Sequence, residues 1–281
     1  MGVGIGVGTV FAGWLADVLR QRDGDSSWQD VYAIEAVIGV AAATIAALRD
    51  ADPRAGTAGF AAGFGGVVAL RRIDGWLHLA LAYAAFGFMY LLVFAFLVAR
   101  LEDDAGFSAA AAASTFSLVG VAAIAGGLVL GPVSDRFGRR ETLVGAFATF
   151  GLATVAILTG AQPWVALGAV GVGMSFSGVP TVIAAYVVDA TDAETYGPVF
   201  SAATLAFGVA QMVAPQVGGA LADWLDSFTA VFLLSIAIGA VGAALSSRLP
   251  REPQVGSPQT RTRSARSIRS RRRRPRSSVG S

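Results

Sequence analysis

Long apolar blocks alternate with short polar breaks along the chain. Eight blocks of roughly 18–25 residues can be marked off, the length at which an α-helix crosses a hydrocarbon core of about 30 Å. They run from about Gly2 to Leu19, Trp28 to Leu48, Gly75 to Val98, Ser108 to Gly131, Thr142 to Gly160, Trp164 to Val188, Pro198 to Leu221 and Phe228 to Leu245. Each is cut at charged or turn-forming residues. Because backbone groups inside a bilayer must satisfy one another, each block is a predicted helix. The pattern therefore predicts an all-α fold, a polytopic membrane helical bundle of about eight transmembrane helices. The stretch Thr57 to Leu70 is apolar but rich in Gly and Ala. It lacks the length of a separate span beside the third block, so it is assigned to the loop over 49–74, as an amphipathic or re-entrant piece or as part of a continuous connector.

Composition sharpens this picture. Only 14% of the 281 residues are charged, against about 25% in a soluble domain, and the mean hydropathy is +0.62. A soluble enzyme is excluded on that ground. Cysteine is absent and His78 is the single histidine. That removes disulfides, thiolate metal sites and a cysteine nucleophile, and leaves no ordinary zinc site or Ser-His-Asp triad. No cofactor, metal or enzymatic centre is expected. The first 19 residues lack a basic start and read as a membrane helix, not a cleaved signal.

Charge divides the chain in two. Residues 1–247 hold 10 Arg and 18 acidic residues, a net of −8, while residues 248–281 hold 11 Arg and one Glu, a net of +10. The segment 250–281, rich in Arg, Ser and Pro, is expected to be a disordered tail. No aromatic residue accompanies its arginines, so nucleic acid is not an expected partner. Arginine bias in short loops sets orientation. The 49–74 loop, the charged turn from Ser134 to Glu141 and the tail fall on one side of an eight-span count, which makes that side cytoplasmic. The loop around Asp189 to Glu194 joins them without any Arg. The opposite side carries Arg100 beside Glu102, Asp103 and Asp104, and Asp226.

An internal repeat is also legible. Gly13-Trp-Leu-Ala-Asp17 near the end of the first block matches Gly219-Ala-Leu-Ala-Asp223 of the seventh, and Ser27-Trp28-x-x-Val31-Tyr32 matches Ser227-Phe228-x-x-Val231-Phe232. Both pairs leave the membrane on one face, as in parallel repeats related by an axis along the bilayer normal.

The most informative segment is Gly131-Pro-Val-Ser-Asp135-Arg136-Phe-Gly138-Arg139-Arg140. Gly131 permits close helix approach, and Gly138 allows a tight turn with positive φ. Asp135 can face a neighbouring helix N-terminus. Arg136, Arg139 and Arg140 hold the turn inside and can pair with Asp135 or lipid phosphate. The pattern resembles the cytoplasmic loop signature of the major facilitator superfamily. Four blocks follow it, so it resembles the second copy of that signature, and the chain resembles helices five to twelve of a twelve-helix transporter. Tyr83-x3-Gly87-Phe-Met-Tyr90, with Phe207-Gly-Val-Ala-Gln211 and Pro215, is similar to the YbfB/YjiJ-type branch.

The resemblance implies a transporter fold missing its first four helices. Residues 1–48 would end the N-terminal half with two helices, 49–74 would be the cytoplasmic central loop, and 75–249 the six-helix C-terminal half. It implies transport of a small solute by alternating access, as secondary active transport or uniport, in the plasma membrane with a cytoplasmic C-terminus. It also implies cavity-lining positions: Tyr83 and Tyr90 in the third block, Ser175, Ser177, Thr181 and Tyr186 in the sixth, and Gln211 in the seventh. For each, a helix–helix hydrogen bond is the competing role. Glu35 is the candidate for proton coupling, against a wet interfacial position. The expected partners are the lipid bilayer and an unidentified solute, with a missing N-terminal half or self-association completing the cavity. The alternative is a non-transporting membrane fragment or assembly partner descended from such a transporter.

Overall fold

The computed structural model describes residues 61–251, together with isolated helical positions between Ile34 and Thr44. The first predicted block, Glu35, the first copy of the repeat and the tail from residue 252 lie outside the described residues.

Over residues 61–251 there are seven α-helices in order: α1 Ala61–Leu70, α2 Trp76–Ala99, α3 Ala109–Phe137, α4 Arg139–Leu158, α5 Trp164–Ala190, α6 Tyr196–Leu225 and α7 Thr229–Ser246. A π-helical turn, Arg100–Asp104, extends α2. The six helices α2 to α7 are long and apolar enough to cross a membrane. They coincide with the last six predicted blocks. Two differences are physical. The connector predicted over 49–74 contains α1, which lies along α6 and brings Gly66 against the backbone carbonyl of Pro198. The charged turn predicted from Ser134 to Glu141 is almost wholly helical, because α3 continues to Phe137 and Gly138 alone interrupts the helix.

Local signals end the helices. Gly75, at φ 78°, precedes α2. The Ser108 side chain accepts from the Ala111 N–H at 3.3 Å and caps α3, satisfying a donor that the first turn leaves open. Asp226, in the left-handed region at φ 49°, closes α6. Pro132, Pro180 and Pro215 lie inside α3, α5 and α6.

The helices pack as two groups of three. In one, α5 lies along both α3 and α4; in the other, α2 lies along both α6 and α7. The groups join broadly where α4 meets α7, and sparsely where α2 approaches α3 and α5. Lipid is as apolar as leucine, so helix association here depends on close approach and not on hydrophobic burial. Glycine supplies that approach. Gly126 of α3 sits against the Met174 carbonyl of α5, and Gly173 of α5 against the Val119 carbonyl of α3. Gly242 of α7 receives the Phe147 ring of α4. Hydroxyls add interhelical bonds: Ser235 Oγ donates to the Met89 carbonyl at 2.8 Å, and Ser177 Oγ to the Ala123 carbonyl.

A methyl group at Gly173 has no room beside a backbone carbonyl. Gly173→Ala should destabilise the protein by about 1–3 kcal/mol, read as a lower thermal midpoint in detergent. Gly145→Ala and Gly151→Ala, where the added methyl meets open space, should melt like the native protein. Equal melting of all three variants would contradict the α3–α5 contact.

Candidate functional site

The glycine-and-arginine motif forms a clamp at one end of the bundle. Arg139, the first residue of α4, donates from Nε to Asp189 Oδ2 of α5 at 2.9 Å and pairs through its NH1 nitrogen with Asp135 of α3. The same nitrogen donates to Ser134 Oγ at 2.5 Å, and Ser134 Oγ donates to the Gly131 carbonyl at 2.7 Å. One guanidinium therefore joins three helix ends. The helix macrodipole disfavours a cation at the start of α4 and a carboxylate at the end of α5. The two charges hold their places by pairing across the gap. Of the partners expected for Asp135, a neighbouring helix N-terminus or one of the three arginines, the structure shows Arg139, the first residue of α4.

Gly138 makes the clamp possible. Its φ of 98° and ψ of 146° are reached essentially only by glycine, and a Cβ there would lie 2.7 Å from Glu141 Oε2. Its N–H donates to the Ser134 carbonyl at 3.0 Å, closing α3, and its carbonyl accepts from Thr142 N at 3.1 Å, opening α4. Arg136 is exposed, with its guanidinium 5.6 Å from the Phe137 ring. Arg140 is half-buried in the first turn of α4, and Gly131 faces Thr181 of α5 at ordinary contact distance.

The chain returns to this end after α7. Leu249 is buried, Tyr186 donates its hydroxyl to the Pro250 carbonyl at 3.4 Å, and Arg251 Nε lies 3.0 Å from Glu141 Oε1. Nearby, Thr195 donates its hydroxyl to Asp192 Oδ1 at 2.7 Å and its N–H at 2.9 Å. These bonds hold the Asp192 carboxyl below its usual range and keep it ionised before α6.

A second clamp, missed in the sequence, closes the opposite end. Arg100, only 7% exposed, donates to the Leu158 carbonyl of α4 at 3.2 Å and lies 3.5 Å from Asp104. Asp104 Oδ2 accepts from Phe228 N and Ser227 Oγ, both at 3.0 Å, and so caps α7. The acidic run had read as a polar break. The signal available was the i,i+4 spacing of Arg100 and Asp104.

Between the clamps, three of the cavity candidates meet. Gln211 of α6 donates its amide to the Tyr90 hydroxyl of α2. Phe207, one turn before Gln211, stacks on Tyr83 with ring centroids 4.5 Å apart. The four candidates on α5 are placed elsewhere. Ser175 Oγ donates to the Ala146 carbonyl of α4 at 3.2 Å, and Ser177 Oγ faces α3. Thr181 Oγ1 donates to its own helix at the Ser177 carbonyl, at 2.8 Å. Tyr186 belongs to the end held by Pro250.

Six membrane-length helices in two groups of three, tied at one face by an ion-paired arginine, define a multi-pass membrane protein with the fold of half a transporter. Residues 79–279 match the Major Facilitator Superfamily family model. The chain belongs to that superfamily, whose members are transporters and not enzymes. Two curated relatives are similar over part of their length. Protein ZINC INDUCED FACILITATOR-LIKE 1 of Arabidopsis thaliana is 28% identical over 148 residues, covering 52% of this chain and 30% of the relative. Protein ZINC INDUCED FACILITATOR 1 of the same plant is 30% identical over 147 residues, 52% of this chain and 29% of the relative. The solved structure of a D-xylose-proton symporter shares the fold at 19% identity and a TM-score of 0.50, over 70% of this chain and 52% of that one. The matched segment thus spans under a third of the curated relatives.

Arg139→Ala should lower stability by about 1–2 kcal/mol, since its carboxylate partners are partly wet. Arg139→Lys should recover only part of that, because a point charge does not reproduce the planar fork. Gly138→Ala should cost about 1–3 kcal/mol through backbone strain. Chemical denaturation followed by circular dichroism would measure all three.

Proposed function

We propose that this chain serves transmembrane transport of a small solute by alternating access, as secondary active transport or uniport. The observation that carries this reading is the Arg139 clamp at one face of the six-helix unit. Such a clamp lets α3, α4 and α5 move as one body while the opposite half rocks against them. In this reading the clamped face, with Asp135, Arg136, Arg139 and Arg140, is cytoplasmic, the membrane is the plasma membrane and the C-terminus is inside. Residues 1–48 supply two helices of the other half, 49–74 the central connector with α1 inside it, and 250–281 a basic tail.

The solute meets the side where α2, α3, α5 and α6 approach, the sparsely packed side between the two groups. Tyr83, Tyr90 and Gln211 are its polar lining. An amide placed in hydrocarbon is costly without a partner, and the Tyr90 hydroxyl supplies one. In this reading Ser175 and Ser177 hold helices together, Thr181 bonds within its own helix and Tyr186 holds the segment after α7. Glu35 remains the candidate for coupling to a proton gradient. A second reading is favoured by coverage: the chain matches 52% of the symporter chain, and an alternating-access cavity lies between two halves. In that reading the chain works as an assembly partner, with a separate N-terminal half or a second copy of itself, or is a non-transporting fragment.

Purified chain reconstituted in liposomes should show saturable uptake of at least one solute from a panel of sugars, amino acids, organic cations and organic anions. Glu35→Gln should abolish the response to an imposed proton gradient. Uptake that appears only on co-reconstitution with a four-helix N-terminal partner would establish the assembly reading. A folded protein inert under both conditions would overturn the transport proposal.

A further inference from the structure

Aromatic rings are segregated in this protein. Along α2, Tyr83, Phe86, Tyr90 and Phe94 recur at steps of three and four, so they share one stripe of the helix. Phe207 of α6 stacks on Tyr83 and lies 5.8 Å from the Tyr90 ring. Phe176 of α5 lies 4.9 Å from Tyr90 and 4.5 Å from Phe94. Phe116 of α3 stands edge-on to Phe94 at 5.8 Å. Four helices thus build one continuous array. Its back is closed, because Phe86 is fully buried against Phe147 and Phe150 of α4. Its front rings, Phe94, Phe116, Phe176 and Phe207, are half-exposed.

Ordinary packing does not account for this grouping. Among the described residues, the large apolar side chains exposed in mid-span are not aromatic: they are Met212 and aliphatic residues such as Leu81, Val121, Leu128, Leu152 and Val209. The exposed aromatics Phe137, Trp164 and Trp224 all lie at or next to helix ends. Every Asp, Glu, Arg and His of α2 to α7 lies within the first or last three residues of its helix. The array therefore has no fixed charge of its own, and its polar elements are the Gln211–Tyr90 pair and the Tyr83 hydroxyl. Ring faces are electron-rich. They attract flat apolar rings and cations and offer nothing to a carboxylate or phosphate.

Resting on the transport reading above, we propose that this array is the solute-recognition surface, and that it takes a flat, aromatic organic solute carrying no negative charge. The rings of Phe176, Phe207 and Phe94 stack on the solute. Gln211, held by Tyr90, meets its polar edge.

The test is binding to the full chain in detergent, which removes partition into lipid. Quinoline and 1-methylquinolinium should both bind saturably, and quinoline-2-carboxylate at least about tenfold more weakly. Phe176→Leu, close in volume, should weaken both favourable ligands about tenfold while the protein melts normally. Phe228, whose ring packs tilted against Phe96 away from the array, is the control: Phe228→Leu should bind like the native chain. Carboxylate binding as tight as the cation, or ring binding indifferent to Phe176→Leu, would overturn the proposal. So would an absence of ring binding by a preparation that takes up another solute in liposomes, and that result would leave the transport reading standing. Absence of both binding and uptake would overturn the two together.

Discussion

Hydrocarbon offers no hydrogen-bond partner to an exposed peptide group, and each unsatisfied N–H or C=O there costs several kcal/mol. Every described span is accordingly a helix that closes its own backbone. The same constraint sets how the helices meet. Solvent exclusion gives no advantage to one apolar surface over another in lipid, so association depends on contact distance. Gly126 and Gly173 bring the backbones of α3 and α5 together, and Gly242 admits the Phe147 ring between α7 and α4. The two groups of three helices follow from where small residues fall.

Among the described spans charge is confined to the ends, where water and headgroups reduce its cost. Each end uses one arginine as a tie. Arg139 joins α3, α4 and α5 through two carboxylates. Arg100 reaches the carbonyl end of α4, while its neighbour Asp104 caps α7. The helix α4 is thus held at both termini, by one group at one face and by the other group at the opposite face. Its two ties and the broad α4–α7 contact make this side the rigid one. The side where α2 approaches α3 and α5 is thin and lined with rings. That asymmetry gives the bundle a broadly packed back and a thin, ring-lined front.

Much of the fold was legible in the sequence. The last six apolar blocks became α2 to α7, with small shifts at their ends except where α3 runs on to Phe137, because block length and the cost of burying charge are one-dimensional properties. The motif was legible as well, through the spacing of Gly131, Asp135, Gly138 and Arg139. Its shape was not: a run of charges reads as a loop, yet helical hydrogen bonds continue to Phe137 and resume at Arg139. The helix α1 was hidden because three glycines and two β-branched valines in ten residues weaken helical preference. It gains its place by lying along α6.

What the sequence by itself determined is the membrane class, the number and order of the described spans, and which breaks share a face. Those depend on residue type and on parity along the chain. Which hydroxyls serve packing and which side chains meet was decided only in three dimensions. Ser175 and Tyr90 look alike as polar residues in apolar helices, but one donates to the Ala146 carbonyl and the other accepts from Gln211, 121 residues further along the chain. Helix rotation sets that difference. Rotation is fixed by the glycine contacts and by the arginine ties at the two ends, none of which acts within a single helix.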